Sequence, residues 1–124
     1  MITIVSETER NVMKYKIKQI IMTDAQIDEV NASQGGPAPA FYARYMSATF
    51  APTVEKIKNA YNDYRFVAEI EANNLDEVFA IGNGMGDQSA ITRLQRMKSI
   101  SVGDIIIDED GKEVFVATFG FEEL

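Results

Sequence analysis

The sequence predicts an α+β domain: a small, mostly antiparallel sheet of about four strands with helices packed on one face. Three observations carry that reading. Segments with strand-like alternation fall at residues 14–22, 64–71, 104–108 and 113–119. Helix-like stripes with start and stop signals separate the first two of these and follow the second. The last two are joined by Glu109-Asp110-Gly111-Lys112, a turn sequence in which Gly supplies a positive φ, so they form an antiparallel hairpin. With 124 residues the chain holds one core, and residues 1–124 are read as a single domain.

In chain order, residues 1–12 carry no helix or turn signal and are read as a short edge strand or a loose tail. Lys14, Lys16 and Lys18 alternate with Tyr15 and Ile17, which sets a strand with lysines on its wet face. Thr23 with Gln26 three residues on is a capping-box spacing, and Ile27 and Val30 give the following helix a short apolar stripe. That helix ends near Ser33, because Gly35-Gly36-Pro37 cannot continue it. Pro37 and Pro39 suit the first turn of a second helix, carrying Phe41, Tyr42, Tyr45, Met46 and Phe50, which Pro52 interrupts. Val54, Ile57, Ala60, Tyr61 and Tyr64 mark a third stripe.

Phe66, Ala68 and Ile70 alternate with Val67, Glu69 and Glu71 in a second strand. Asn74 and Glu77 then cap a helix whose Leu75, Val78 and Phe79 point inward, and Gly82 ends it. Residues 82–89 form a glycine-rich loop, and 91–97 fit a short helix. Ile105-Ile106-Ile107 is apolar on both faces and belongs inside its sheet. The tail docks through Phe121.

Composition excludes more than it assigns. The chain has no Cys, His or Trp, so Ser–His and Cys–His nucleophile pairs, the usual zinc ligands, disulfides and redox thiols are all ruled out. Net charge is −7, a poor basis for direct nucleic-acid binding. Residues 1–65 hold 8 Lys/Arg against 7 Asp/Glu, whereas residues 66–124 hold 4 against 12, so the negative charge belongs to the C-terminal half. No run approaches the roughly 20 apolar residues of a membrane span, and the start lacks the pattern of a signal peptide; the expected location is cytoplasmic, with no membrane partner.

Four motifs invite a chemical reading. Gly82, Gly84 and Gly86 suggest a phosphate cradle, but a helix precedes them and no Lys follows, which favours a helix end and loop. Asp108-Glu109-Asp110-Gly111 has calcium-loop residues without calcium-loop spacing, and a tight turn wants the same residues. No metal or other cofactor is therefore assigned. Asn83, Arg93, Arg96, Lys98, Ser99, Ser101 and Asp104, with Thr92, form the densest polar cluster and are the candidate interaction surface, weighed against a solvated, ion-paired face. The aromatics Phe41, Tyr42, Tyr45, Phe50, Tyr61 and Tyr64 are read mainly as core, with Phe41, Tyr45 and Tyr61 inside and Tyr42 outside. Tyr42, Met46 or Met85 offer a two-fold contact, leaving a homodimer open.

Leu75-Asp76-Glu77-Val78-Phe79, then Ile100-Ser101-Val102-Gly103-Asp104-Ile105-Ile106, then Asp110-Gly111-Lys112, then Phe119-Gly120-Phe121-Glu122-Glu123-Leu124 follow one another at characteristic spacing. In this order the stretches resemble the YodL-like domains of phages and other mobile elements, over about residues 67–124. Where that family usually carries His-Ser-x-Ser-Val this chain has Lys98-Ser99-Ile100-Ser101-Val102, so a role for the histidine does not carry over. The resemblance implies a setting, an accessory protein of a phage or mobile element, and no catalytic residues. Three functions follow in decreasing order: a non-enzymatic accessory protein that binds a host or phage protein, an acidic DNA mimic that blocks a nucleic-acid-binding protein, and a carboxylate enzyme using a divalent metal.

Overall fold

The computed structural model describes residues 12–124; the expected edge strand or tail at 1–12 lies outside them but for Val12, which is in no regular element. Among the described residues six strands form one antiparallel sheet: β1 (Met13–Gln19), β2 (Arg65–Ala72), β3 (Ile91–Arg93), β4 (Ile105–Ile107), β5 (Glu113–Val116) and β6 (Phe121–Glu123). Their order across the sheet is β3-β2-β1-β4-β5-β6. Four helices accompany them: α1 (Asp24–Ala32), α2 (Ala40–Thr49), α3 (Val54–Asn59) and α4 (Leu75–Gly82).

The α+β class and the antiparallel sheet are as the sequence predicts, but the strand count rises from about four to six. Both additions are three-residue edge strands held by main-chain pairing, too short to leave a period-two signal. Ile91–Arg93, expected as a short helix, pairs with Ile70–Ala68. The docking tail is itself a strand, with Phe121 opposite Val116. The preceding strand is shorter than expected because the Ala117 N–H donates to the Gly120 carbonyl and Gly120 takes φ +70°, closing a turn at 117–120.

The expectation of helices on one face is corrected: apolar clusters fill both faces. Ile105 and its partner Phe115 join Ala48 and Ala60 on one face, while Ile106 and Val114 join Val78 and Ile81 on the other. The reason lies in β4 itself. A strand apolar at every position must be covered on both sides, and a single helical layer covers only one.

Caps form where the side chains dictate. Thr23 Oγ1 accepts from the Gln26 N–H at 3.1 Å and Gln26 Oε1 accepts from the Thr23 N–H at 2.9 Å, yet no residue of α1 is buried. Asn74 caps α4, whose Val78 and Ile81 are buried, while Phe79, expected to point inward, stays 36% exposed. In β1, Lys14 and Lys16 are exposed as the alternation predicts, but Lys18 is half-buried, its ammonium 4.8 Å from the Tyr61 ring centroid. Opposite it, Val67 is the extra residue of a bulge that shifts the register between Ile17 and Lys18.

Candidate functional site

The first buried polar group appears where β1 ends. Tyr15, Ile17 and Gln19 share the inward side of the strand, and Gln19 is 0% exposed. A buried amide must find partners, and Gln19 finds them in the loop before β4. Its Nε2 donates to Asp104 Oδ2 and to the Lys98 carbonyl, both at 2.9 Å, while its Oε1 accepts from the Lys98 N–H at 3.0 Å. A longer contact reaches the Ser99 carbonyl at 3.5 Å.

Asp104 is 6% exposed, and its Oδ2 also accepts from the Ser101 N–H at 2.9 Å. Burial pushes its carboxyl up to about 6, against the opposing pull of the Ser101 and Gln19 hydrogen bonds and the Lys98 charge. Among the described residues Oδ1 has no hydrogen-bond donor, and no fully buried side-chain oxygen there is left unpaired. Oδ1 therefore opens to the adjoining cleft, of about 330 Å³, lined by Ile20, Tyr45, Thr49, Tyr64, Lys98, Ser101, Val102, Gly103 and Asp104.

The far wall comes from α2 and the segment before β2. The Tyr64 hydroxyl donates to the Gly103 carbonyl, and burial raises this phenol well above its usual range. Thr49 Oγ1 donates to the Tyr45 carbonyl at 2.8 Å. The Lys98 ammonium lies 5.4 Å from the centroid of the Tyr45 ring, within cation–π range. Gly103 makes the close approach of the walls feasible: it holds φ +94°, and a Cβ there would fall 2.3 Å from the Ala48 carbonyl oxygen. Chemically, the cleft offers a carboxyl that exchanges protons near neutral pH and hydroxyl acceptors beside it.

The predicted surface residues divide. Lys98, Ser101 and Asp104 line the cleft, and Ser99 contributes only its carbonyl at the edge of the Gln19 network. Asn83 is a fastener: its Nδ2 donates to the Phe79 and Ile100 carbonyls at 2.8 and 3.0 Å, tying the end of α4 to the loop. Arg93 and Arg96 are exposed on and after the edge strand β3 and do not line the cleft. Sequence reasoning left out Gln19 and Thr49 and counted Tyr45 and Tyr64 only among the aromatics. For Gln19 a signal existed: it is the polar member of an otherwise apolar inward series.

No protein-family model, curated protein or solved structure matches this chain. The site must therefore be read from its own chemistry.

The remaining motifs resolve locally. Asp108 Oδ1 accepts from the Asp110 and Lys112 N–H groups, both at 2.9 Å, which makes 108–112 a self-bonded turn. Among the described residues no three carboxylates gather as a metal cage, and no helix is long and apolar enough to cross a membrane. Tyr45 and Tyr61 pack against the second core, while Tyr42 is half-buried and stacked at 6.2 Å on Tyr45 instead of exposed. Phe50, one of the aromatic set read mainly as core, is 75% exposed.

A second unusual surface lies at the β5–β6 hairpin. Phe119 is 92% exposed at its tip. Two residues on, Phe121 meets Phe79 of α4 edge-to-face, with centroids 6.4 Å apart. Around this pair Glu122, Glu123 and Asp76 are exposed.

Proposed function

We propose that the chain is a non-enzymatic accessory protein of a phage or other mobile element, acting in the host cytoplasm by gripping a host or phage protein. One observation carries the reading: Phe119 stands 92% exposed at the tip of a hairpin in the acidic half of the chain. An aromatic ring held in water gains little in a lone monomer and much in a partner's pocket, where such anchors dominate binding energy. Carboxylates around the neighbouring Phe79–Phe121 pair favour a partner with a basic rim and steer its approach. The lack of His and Cys supports binding over covalent catalysis.

The test is capture of partners on immobilised wild-type chain and on Phe119→Ser. An exposed substitution should change stability by no more than about 0.5 kcal/mol, while the captured partner should be lost and should also elute with salt of about 0.5 M. A partner retained equally by both proteins, or turnover of a substrate by the pure chain, overturns the reading.

A further inference from the structure

The cleft beside Asp104 has a lopsided hydrogen-bond inventory. Four of its nearby donors are committed inside the protein, and among the described residues the Ser101 hydroxyl and the Lys98 ammonium are the donors left without an acceptor. The Ser101 N–H and the Gln19 amide point at Asp104 Oδ2, the Tyr64 hydroxyl at the Gly103 carbonyl, and the Thr49 hydroxyl at the Tyr45 carbonyl. The lone pairs these hydroxyls retain are acceptors, and Asp104 Oδ1 is an acceptor with no donor among the described residues. The aromatic walls, Tyr45 and Tyr64, carry the negative faces that attract cations. A cation already sits at the rim, since the Lys98 ammonium lies over Tyr45.

We propose that this cleft is a binding site for a primary ammonium group, held by Asp104 Oδ1 and the oxygens of Thr49 and Tyr64, with the Lys98 ammonium as a resident competitor at the rim. Three N–H donors of an ammonium match a site that presents acceptors, and the cleft's ≈ 330 Å³ admits the group with a short aliphatic stem. An anion would meet the buried carboxylate and is excluded. The titratable groups facing Asp104 are Lys98, a cation from its own loop, and the Tyr64 phenol from the opposite wall, which burial keeps neutral; Gln19, on β1, carries no charge. Protonation of Asp104 removes the charge that attracts the ligand. The inference is independent of the aromatic hairpin, and Phe119→Ser leaves it unchanged.

The test is an NMR titration of the full chain with n-butylammonium, following the Ser101 N–H and the Gln19 side-chain amide. Butylammonium should give saturable shifts at both, and butyrate none. With a carboxyl at about 6, the affinity should weaken about tenfold from pH ~7.5 to pH ~5. Lys98→Ala should tighten binding several-fold by removing the competitor, and Asp104→Asn should abolish it. Thr49→Val, which leaves the carboxylate network intact, should weaken it and serves if Asp104→Asn fails to fold. A parallel titration with N-acetyl-lysine amide distinguishes the source: tighter binding than butylammonium assigns a protein's lysine side chain, weaker binding a small free amine. Absence of saturable shifts with either amine, equal shifts with butyrate, or undiminished binding by Asp104→Asn overturns the proposal.

Discussion

The two faces of the sheet are filled by different chemistries. Under α4 the core is mainly aliphatic: Ile17, Ile70, Val78, Ile81, Ile100 and Ile106 meet, with Tyr15 the one buried tyrosine among them. Under α2 and α3, Ile57, Ile105 and Phe115 are rimmed by Tyr45, Tyr61 and Tyr64. Each of those tyrosines has a polar engagement at its edge. Tyr61 donates to Glu113 and accepts from Lys18, Tyr64 donates to Gly103, and Tyr45 lies beneath Lys98. Aliphatic packing is non-directional and serves stability. Tyrosine buries area while keeping a polar tip at the surface, which suits recognition. The cleft sits where the two meet, with Val102 packed on the first core and Ile20 belonging to the second.

The largest effect should come from breaking that seam. In Gly103→Ala the new methyl would meet the Ala48 carbonyl and the Thr49 Cα, both backbone, in a conformation that L residues rarely adopt. Stability should fall by more than about 3 kcal/mol. Urea unfolding followed by far-UV and by tyrosine near-UV circular dichroism, in a Tyr15→Phe background that silences the first core's tyrosine, checks it, because Tyr45, Tyr61 and Tyr64 then report the second face. The transitions should coincide, as in a cooperative single domain. A near-UV signal lost at lower urea would show that the second face opens alone.

Asp104→Asn should have the next effect, through pH. Burial raises the native carboxyl from 3.8 to about 6, so the native state holds this proton more tightly than the unfolded chain. The stabilisation is fully present below pH 3.8 and is lost as pH rises through about 6. It amounts to up to about 3 kcal/mol, so urea midpoints of the wild type should exceed those of Asp104→Asn by more at pH ~4.5 than at pH ~7.5. A substitution confined to the aliphatic face, such as Ile70→Val, should leave the pH slope of the wild type intact. Equal slopes in wild type and Asp104→Asn would mean that the cleft carboxyl titrates as if in water.

The same contrast governs how much the sequence reveals. The aliphatic face is legible because periodicity reports burial: Ile17, Ile70 and Val78 fall where alternation and helical spacing put them. The capped starts of α1 and α4 are legible because Thr23 and Asn74 act on neighbours three residues away. Edge strands β3 and β6 escape, since three residues held by another strand's main chain need no pattern of their own. The cleft is half legible. Lys98, Ser101 and Asp104 are close in sequence and stand out as a polar cluster. Their partner Gln19 is 85 residues from Asp104, and only tertiary packing joins them. Arg93 and Arg96 fall near that cluster in sequence but outside the cleft, because β3 carries them to the sheet edge.

The smallest effect should come from the connection that holds the second face's helices together. Between α2 and α3, Ala51 has φ +45°, the only non-glycine positive φ among the described residues, and it precedes Pro52. A residue before proline prefers extended backbone, and the left-handed region costs an L residue about 1–2 kcal/mol. Glycine escapes that penalty but gives the unfolded chain more freedom, which offsets part of the gain. Ala51→Gly should therefore stabilise the protein by about 0.5–1 kcal/mol, seen as a higher urea midpoint with an unchanged denaturant slope. Because the link lies outside the carboxylate network, the pH dependence should stay as in wild type. A loss of stability instead would mean that the Ala51 turn is no strained link and that the short helices of the aromatic face rest on it.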